Sequence, residues 1–253
     1  MAVEYLASVL ETYRGREKLM RILQYASFLA SGGLQKLSRE SSGEKFRIFA
    51  EAISECRTVL RLFDDAAMFS YARSYGTGKQ ERDTIVRWSN LVDIFCGLTF
   101  YPLEHIAWAR DKKLLHGKSD KLWDWSLYCW IGSLIACIVR DLWLLRKLHQ
   151  QEKNKQLSRT QSTDSNIPQS HRESGSSTRQ DQIRFLQKRL FISVVGFTAD
   201  LGMAINWAPS GVLWAGKLSI GSVGLLGTIS SLCELYKYFR PASAMPDEAL
   251  GSI

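Results

Sequence analysis

The sequence predicts an all-α integral membrane protein, with amphipathic helices in its N-terminal region and hydrophobic helices toward its C-terminus. Three observations predict it. Apolar residues recur with the 3.6-residue period through the first part of the chain, so helices there carry one apolar face. Two longer apolar stretches follow, 126–145 and 212–236, each near the roughly 20 residues that cross a hydrocarbon core. Eight Trp, nine Tyr and eleven Phe accompany these runs in a chain whose 45% hydrophobic and 23% charged residues otherwise match a globular protein. That mixture suits a protein lying partly in water and partly in a bilayer.

In order, 1–121 reads as an amphipathic helical region and 122–148 as a first hydrophobic segment. A disordered basic linker over 149–182, a hydrophobic helical hairpin over 183–240 and a flexible tail over 241–253 complete the chain. The net charge of +8 is concentrated, since 146–189 holds ten Lys/Arg against four Asp/Glu. This polar stretch is rich in Ser, Gln and Thr and short of apolar groups to offset its ordering entropy, which predicts disorder. No nucleic-acid-binding signature accompanies it, and no nucleic-acid partner is expected. The five cysteines are odd in number and widely spaced within apolar patterns, so they read as small core hydrophobes facing a reducing compartment.

The first helix is predicted over 3–30, with Gly15 as a hinge between two apolar stripes. Arg14, Lys18 and Arg21 line the border of the second stripe. Long basic side chains so placed can reach lipid headgroups, and they equally suit the solvated edge of a bundle. Ser31-Gly32-Gly33 supplies turn chemistry that ends this helix. A second helix is predicted over 44–75. Its stretch 56–76 puts Val59, Leu60, Leu62 and Phe63 on an apolar arc opposite Arg57, Thr58, Arg61, Asp64 and Asp65, with Arg61 spaced to pair along the helix with either aspartate. The arc must lie on protein or on lipid. A third helix over 81–101 ends at Pro102, and Glu104-His105 reads as a structural polar pair.

In the first hydrophobic segment, 127–139 holds thirteen uncharged residues, and a crossing over 126–145 requires Arg140 and Asp141 to pair or reach an interface. Aromatic residues cluster at its two ends, as in membrane segments. The stretch 190–207 is apolar apart from Asp200. In 212–236, Gly221, Gly224 and Gly227 remove bulk along one helix and predict close helix packing. No nucleophile elbow, phosphate-binding loop or metal-ligand motif occurs, so neither catalysis nor a cofactor is expected. A solute pore stays open as an alternative, because Asp200, Arg140 and Asp141 would be ionisable groups within the membrane.

The segments YRGREKLMRILQY (13–25), CRTVLRLFDDAAMF (56–69), YPLEHIAW (101–108) and GVLWAGKLSIGSVGLLGTISS (211–231) occur in this order across the chain. In them the sequence resembles the peroxisomal membrane protein 11 family, in its gamma branch. The resemblance implies a multi-pass protein of the peroxisomal membrane, with both termini facing the cytosol, that promotes elongation and division of the organelle. It also implies association with itself and other family members, and recruitment of fission adaptors and a dynamin-related GTPase. The family's remodelling activity belongs to an N-terminal amphipathic helix, which Arg57, Arg61 and their apolar arc fit; Asp64 and Asp65 depart from a simple cationic helix. Spans near 126–145 and 212–236 would place the basic linker in the peroxisome interior.

Three readings follow. In the first, an amphipathic helix wedges into the phospholipid membrane through Val59, Leu60, Leu62 and Phe63, with headgroup contacts from Arg14, Lys18, Arg21, Arg57 and Arg61. In the second the chain is a metabolite pore of the same membrane. In the third it is a scaffold whose helices pack only on one another.

Overall fold

A computed structural model describes residues 2–161 and 173–241. They form eight helices, with no strand among the described residues: α1 (Ala2–Glu11), α2 (Tyr13–Lys36), α3 (Glu40–Arg61), α4 (Asp65–Tyr75), α5 (Thr84–Asp111), α6 (Asp120–Gln161), α7 (Glu173–Trp207) and α8 (Ile220–Phe239). The six long helices pack in the order α3, α2, α8, α7, α6, α5, with α1 on α2 and α4 on α5. An ion pair between Arg61 of α3 and Glu104 of α5 ties the two ends of this series together.

Several helix ends differ from the sequence pattern, each for a local reason. The first break falls at Thr12, whose side chain caps α2 by accepting from the Gly15 amide. Gly15 lies inside α2, and a Cβ there would sit 2.1 Å from the Val9 carbonyl oxygen, so the glycine admits the end of α1. Ser31, Gly32 and Gly33 do not form a turn, because α2 continues to Lys36 with Ser31 and Gly32 buried. The helix predicted over 44–75 divides at Leu62–Asp64 into α3 and α4. Arg61 therefore pairs with Glu104 and not along its own helix. At Gly76, where φ is +56°, glycine closes α4.

Pro102 lies inside α5, which runs on to Asp111. The ring removes one hydrogen bond, that to the Leu98 carbonyl, without ending the helix. The flanks of the stretch expected to be disordered are helical: α6 reaches Gln161 and α7 starts at Glu173. The remaining positions, 162–172, and the tail from 242 onward lie outside the described residues. Between α7 and α8, Asn206 organises the connection by accepting from the Gly216 amide through its carbonyl and from the Leu218 amide through its side chain. The apolar stretch 212–236 is thus not one helix.

Two helical segments are long and apolar enough to cross a membrane, Asp120–Asn154 and Gln180–Trp207. Only 22% and 44% of their most apolar windows are buried within the molecule, so more than half of each window faces outward. The first contains the segment expected to span. The second lies in α7, and 212–236, whose helical part lies in Ile220–Phe239, is not among the two.

Candidate functional site

The long helices line an open cavity of about 1290 Å³, with Tyr13, Glu17, Arg21, Arg57, Glu104 and Lys237 among its walls. Charged side chains turn into it and meet one another across helices. Arg57 donates to Glu17 at 2.7 Å and to Gln24 at 2.7 Å, linking α3 to α2. Arg61 engages both carboxylate oxygens of Glu104, at 2.6 and 2.8 Å. Arg21 reaches Asp200 of α7 at 2.6 Å and Ser230 of α8 at 2.8 Å. Lys18 and Lys237 flank Glu234 at 2.7 and 2.8 Å.

Burial alone would raise the Glu234 carboxyl, but Lys18 and Lys237 override it and hold the group well below its usual range. Glu17 follows the same logic: burial opposes the charge, and Arg57 and Lys18 prevail, lowering it. Burial and the nearby Asp64 carboxylate push the Tyr13 hydroxyl up to about 12. It stays protonated and donates to the Leu60 carbonyl at 2.8 Å.

These pairs relocate most of the basic residues expected at headgroups. Lys18, Arg21, Arg57 and Arg61 are engaged inside the bundle, and Arg14 alone of the five is exposed. The exposed side of α3 carries Ile48, Phe49 and Val59 among Lys45, Glu51 and Glu55, and Phe63, just beyond the helix, is exposed at the edge of the cavity. Leu60 and Leu62 are half-buried. Glu104 and His105 form a structural pair of clamps, with Glu104 on Arg61 and His105 on the Arg61 carbonyl and on Asp65 at 3.0 Å. Sequence reasoning singled out Glu104 as one of a polar pair, but it matched none of Glu17, Glu104 and Glu234 to its cation. The signal available was Asp200, an acid alone in an apolar stretch, which requires a buried cation.

The three glycines of α8 lie on α2. Added Cβ atoms would come 3.3 Å from the Gly32 Cα at Gly221, 2.2 Å from the Leu29 nitrogen at Gly224, and 2.1 Å from the Tyr25 ring at Gly227. At Gly32 on the facing helix a Cβ would fall 2.4 Å from the Gly221 Cα. Backbone meets backbone closely enough to require glycine at Gly32 and Gly224, whereas at Gly227 the neighbour is a side chain.

A helical bundle with two membrane-length helices, apolar outer faces and a charged interior defines the class as an all-α membrane protein. The family model for peroxisomal biogenesis factor 11 (PEX11) matches residues 3–239. The chain belongs to that family. It is 39% identical over 237 residues to peroxisomal membrane protein 11C of Homo sapiens, covering 93% of each chain. It is likewise 39% identical over 249 residues to peroxisomal membrane protein 11C of Mus musculus, covering 94% of this chain and 96% of that one. A more distant relative, peroxisomal membrane protein PMP27 of Saccharomyces cerevisiae, is 26% identical over 161 residues, 59% of this chain and 62% of its own. No solved structure matches the chain.

Proposed function

We propose that the chain is a multi-pass peroxisomal membrane protein, non-enzymatic, that promotes elongation and division of the organelle by reshaping its membrane. Its termini face the cytosol; it associates with itself and with other family members, and it recruits fission adaptors and a dynamin-related GTPase. The observation that carries the reading is the polarity of α3. Arg57 and Arg61 are neutralised inside the bundle and Arg47 is paired with Glu44 and Glu51, while Ile48, Phe49, Val59 and the adjoining Phe63 stay exposed to enter one leaflet, with Lys45 on the same side to meet headgroups. Apolar volume added to one leaflet favours curvature.

The test is reconstitution of the full chain into vesicles containing phosphatidylserine. The parent protein should draw out tubules. Val59→Asp together with Phe63→Asp should abolish them at unchanged helix content, and tubulation that survives this pair would sink the wedge.

The metabolite pore is kept as a second reading because of the charged cavity. Flux of a small solute from loaded vesicles, altered by Arg21→Gln, would support it. Vesicles that stay tight at high protein density would remove it.

A further inference from the structure

Helix α5 fails the length-and-composition criterion met by α6 and α7, yet its residues are arranged as those of a membrane helix. Ile85, Trp88, Val92 and Phe95 follow one another at three- and four-residue steps, continued through Thr99 and Pro102 to Ile106, and form an exposed stripe, with Trp88 at 63% and Phe95 at 69% exposure. Thr99, the polar member of the same stripe, bonds its hydroxyl back to the Phe95 carbonyl at 2.9 Å, which leaves no free donor on that face.

The polar groups that lower the hydropathy of α5 point the other way and are paired. Asn90 accepts from Arg140 at 2.9 Å, Asp93 accepts from Ser133, and Glu104 holds Arg61. Helix α5 also runs antiparallel to α6 along the whole of that helix's apolar part. At one end Asp83 caps α5 while accepting from the Trp143 indole at 2.8 Å and pairing with Lys147. At the other, Asp111 accepts from the Trp123 indole at 2.8 Å. Its 28 residues rise roughly 42 Å, more than the hydrocarbon thickness of about 30 Å. On α6, Trp125, Tyr128, Ile135, Val139 and Leu142 are exposed in a matching stripe. Each of the two helices thus carries an apolar stripe along its exposed side.

We infer that α5 crosses the bilayer beside α6 as a third membrane-spanning helix, its outer stripe covered by acyl chains; with α5, α6 and α7 crossing, both termini share one face only when α8 returns across beside α7. This rests on α6 itself crossing the membrane. The consequence is a change in sidedness. Residues 112–119 then lie on the face opposite 76–83, and the basic end of α6, from Arg146 to Lys153, shares the face of 76–83. The basic segment no longer needs to lie across the membrane from α4.

The inference is tested on the unaltered full chain in phosphatidylcholine vesicles carrying a phospholipid with a photoreactive group in its acyl chain, the crosslinked residues being mapped by mass spectrometry. Adducts on Trp88, Val92 and Phe95 at the yield found on Ile135 and Val139 are expected. Adducts on α6 without any on the α5 stripe would overturn the third span and leave the α6 span intact. Adducts on neither helix would overturn both. An independent measurement keeps the two apart: in sealed vesicles, proteolysis should cut 76–83 and 112–119 from opposite faces, and cutting of both from one face excludes the crossing.

Discussion

Where α2 meets α8 the backbones nearly touch, whereas α5 and α6 are tied by side chains. The first seam is built on Gly32, Gly221, Gly224 and Gly227, with the Lys18–Glu234 pair toward one end. The second is a ladder of polar contacts, from Asp83 with Lys147, through Asn90 with Arg140, to Asp111 with Trp123. Small residues let helices associate without an apolar driving force, since lipid is as apolar as the side chains it would replace. Polar ladders do so because an unpaired group in the same surroundings is costly. One seam is therefore intolerant of added volume and the other of a lost partner.

The largest effect is expected at Gly224. Its replacement by Leu must displace the Leu29 backbone, and α2 should detach from α8, read as loss of the monodisperse folded form in detergent. A smaller effect is expected for Arg140→Met, which leaves Asp141 buried without its 2.9 Å partner. Denaturant unfolding in micelles should register a loss of about 3–5 kcal/mol, much of it recovered when Asp141→Leu is added. Recovery at this seam, and none from volume compensation around Gly224, would establish the contrast.

The smallest effect is a pH dependence of one end of the α2–α8 seam. Glu17 and Glu234 are held below their usual value of 4.5 when folded, so the unfolded chain binds more protons in acid. Their stabilisation is complete above about pH 4.5 and falls away as the pH drops below it. Hydrogen exchange, corrected for intrinsic rate, should rise there first in peptides holding Lys18 and Glu234. The glycine contacts at Leu29 and Gly221 carry no titratable group and should persist; simultaneous loss of both ends would show the seam to be one unit.

How much of this was legible in the sequence depended on how far apart the interacting residues lie. The all-α class, the first membrane-length segment and the packing glycines of α8 were legible, because each is written in consecutive residues. The partner of those glycines was not, since Gly32 and Gly221 lie far apart in the chain and Gly32 next to Gly33 has the form of a turn. Arg57 and Arg61 read as headgroup contacts because a helical wheel sees only its own helix. Their carboxylates, Glu17 and Glu104, come from two others. The exposed apolar side of α5 was hidden for a related reason: averaging along a helix cannot distinguish polar residues gathered on one inward face from polar residues spread around it. The division at Leu62–Asp64 was masked by unbroken apolar periodicity on both sides.

The adjacency of α2 and α8 also constrains the order in which the molecule can assemble. Gly32 cannot meet Gly221, nor Lys18 meet Glu234, until almost the entire chain has been synthesised. Contacts of such high sequence separation form slowly, because the intervening loop must close before they contribute. Helices α5 and α6, joined by a short connection, have no such wait. A nascent chain would therefore expose Lys18, Arg21 and the small-residue face of α2 throughout translation, and the N-terminal hairpin would be the last element to dock.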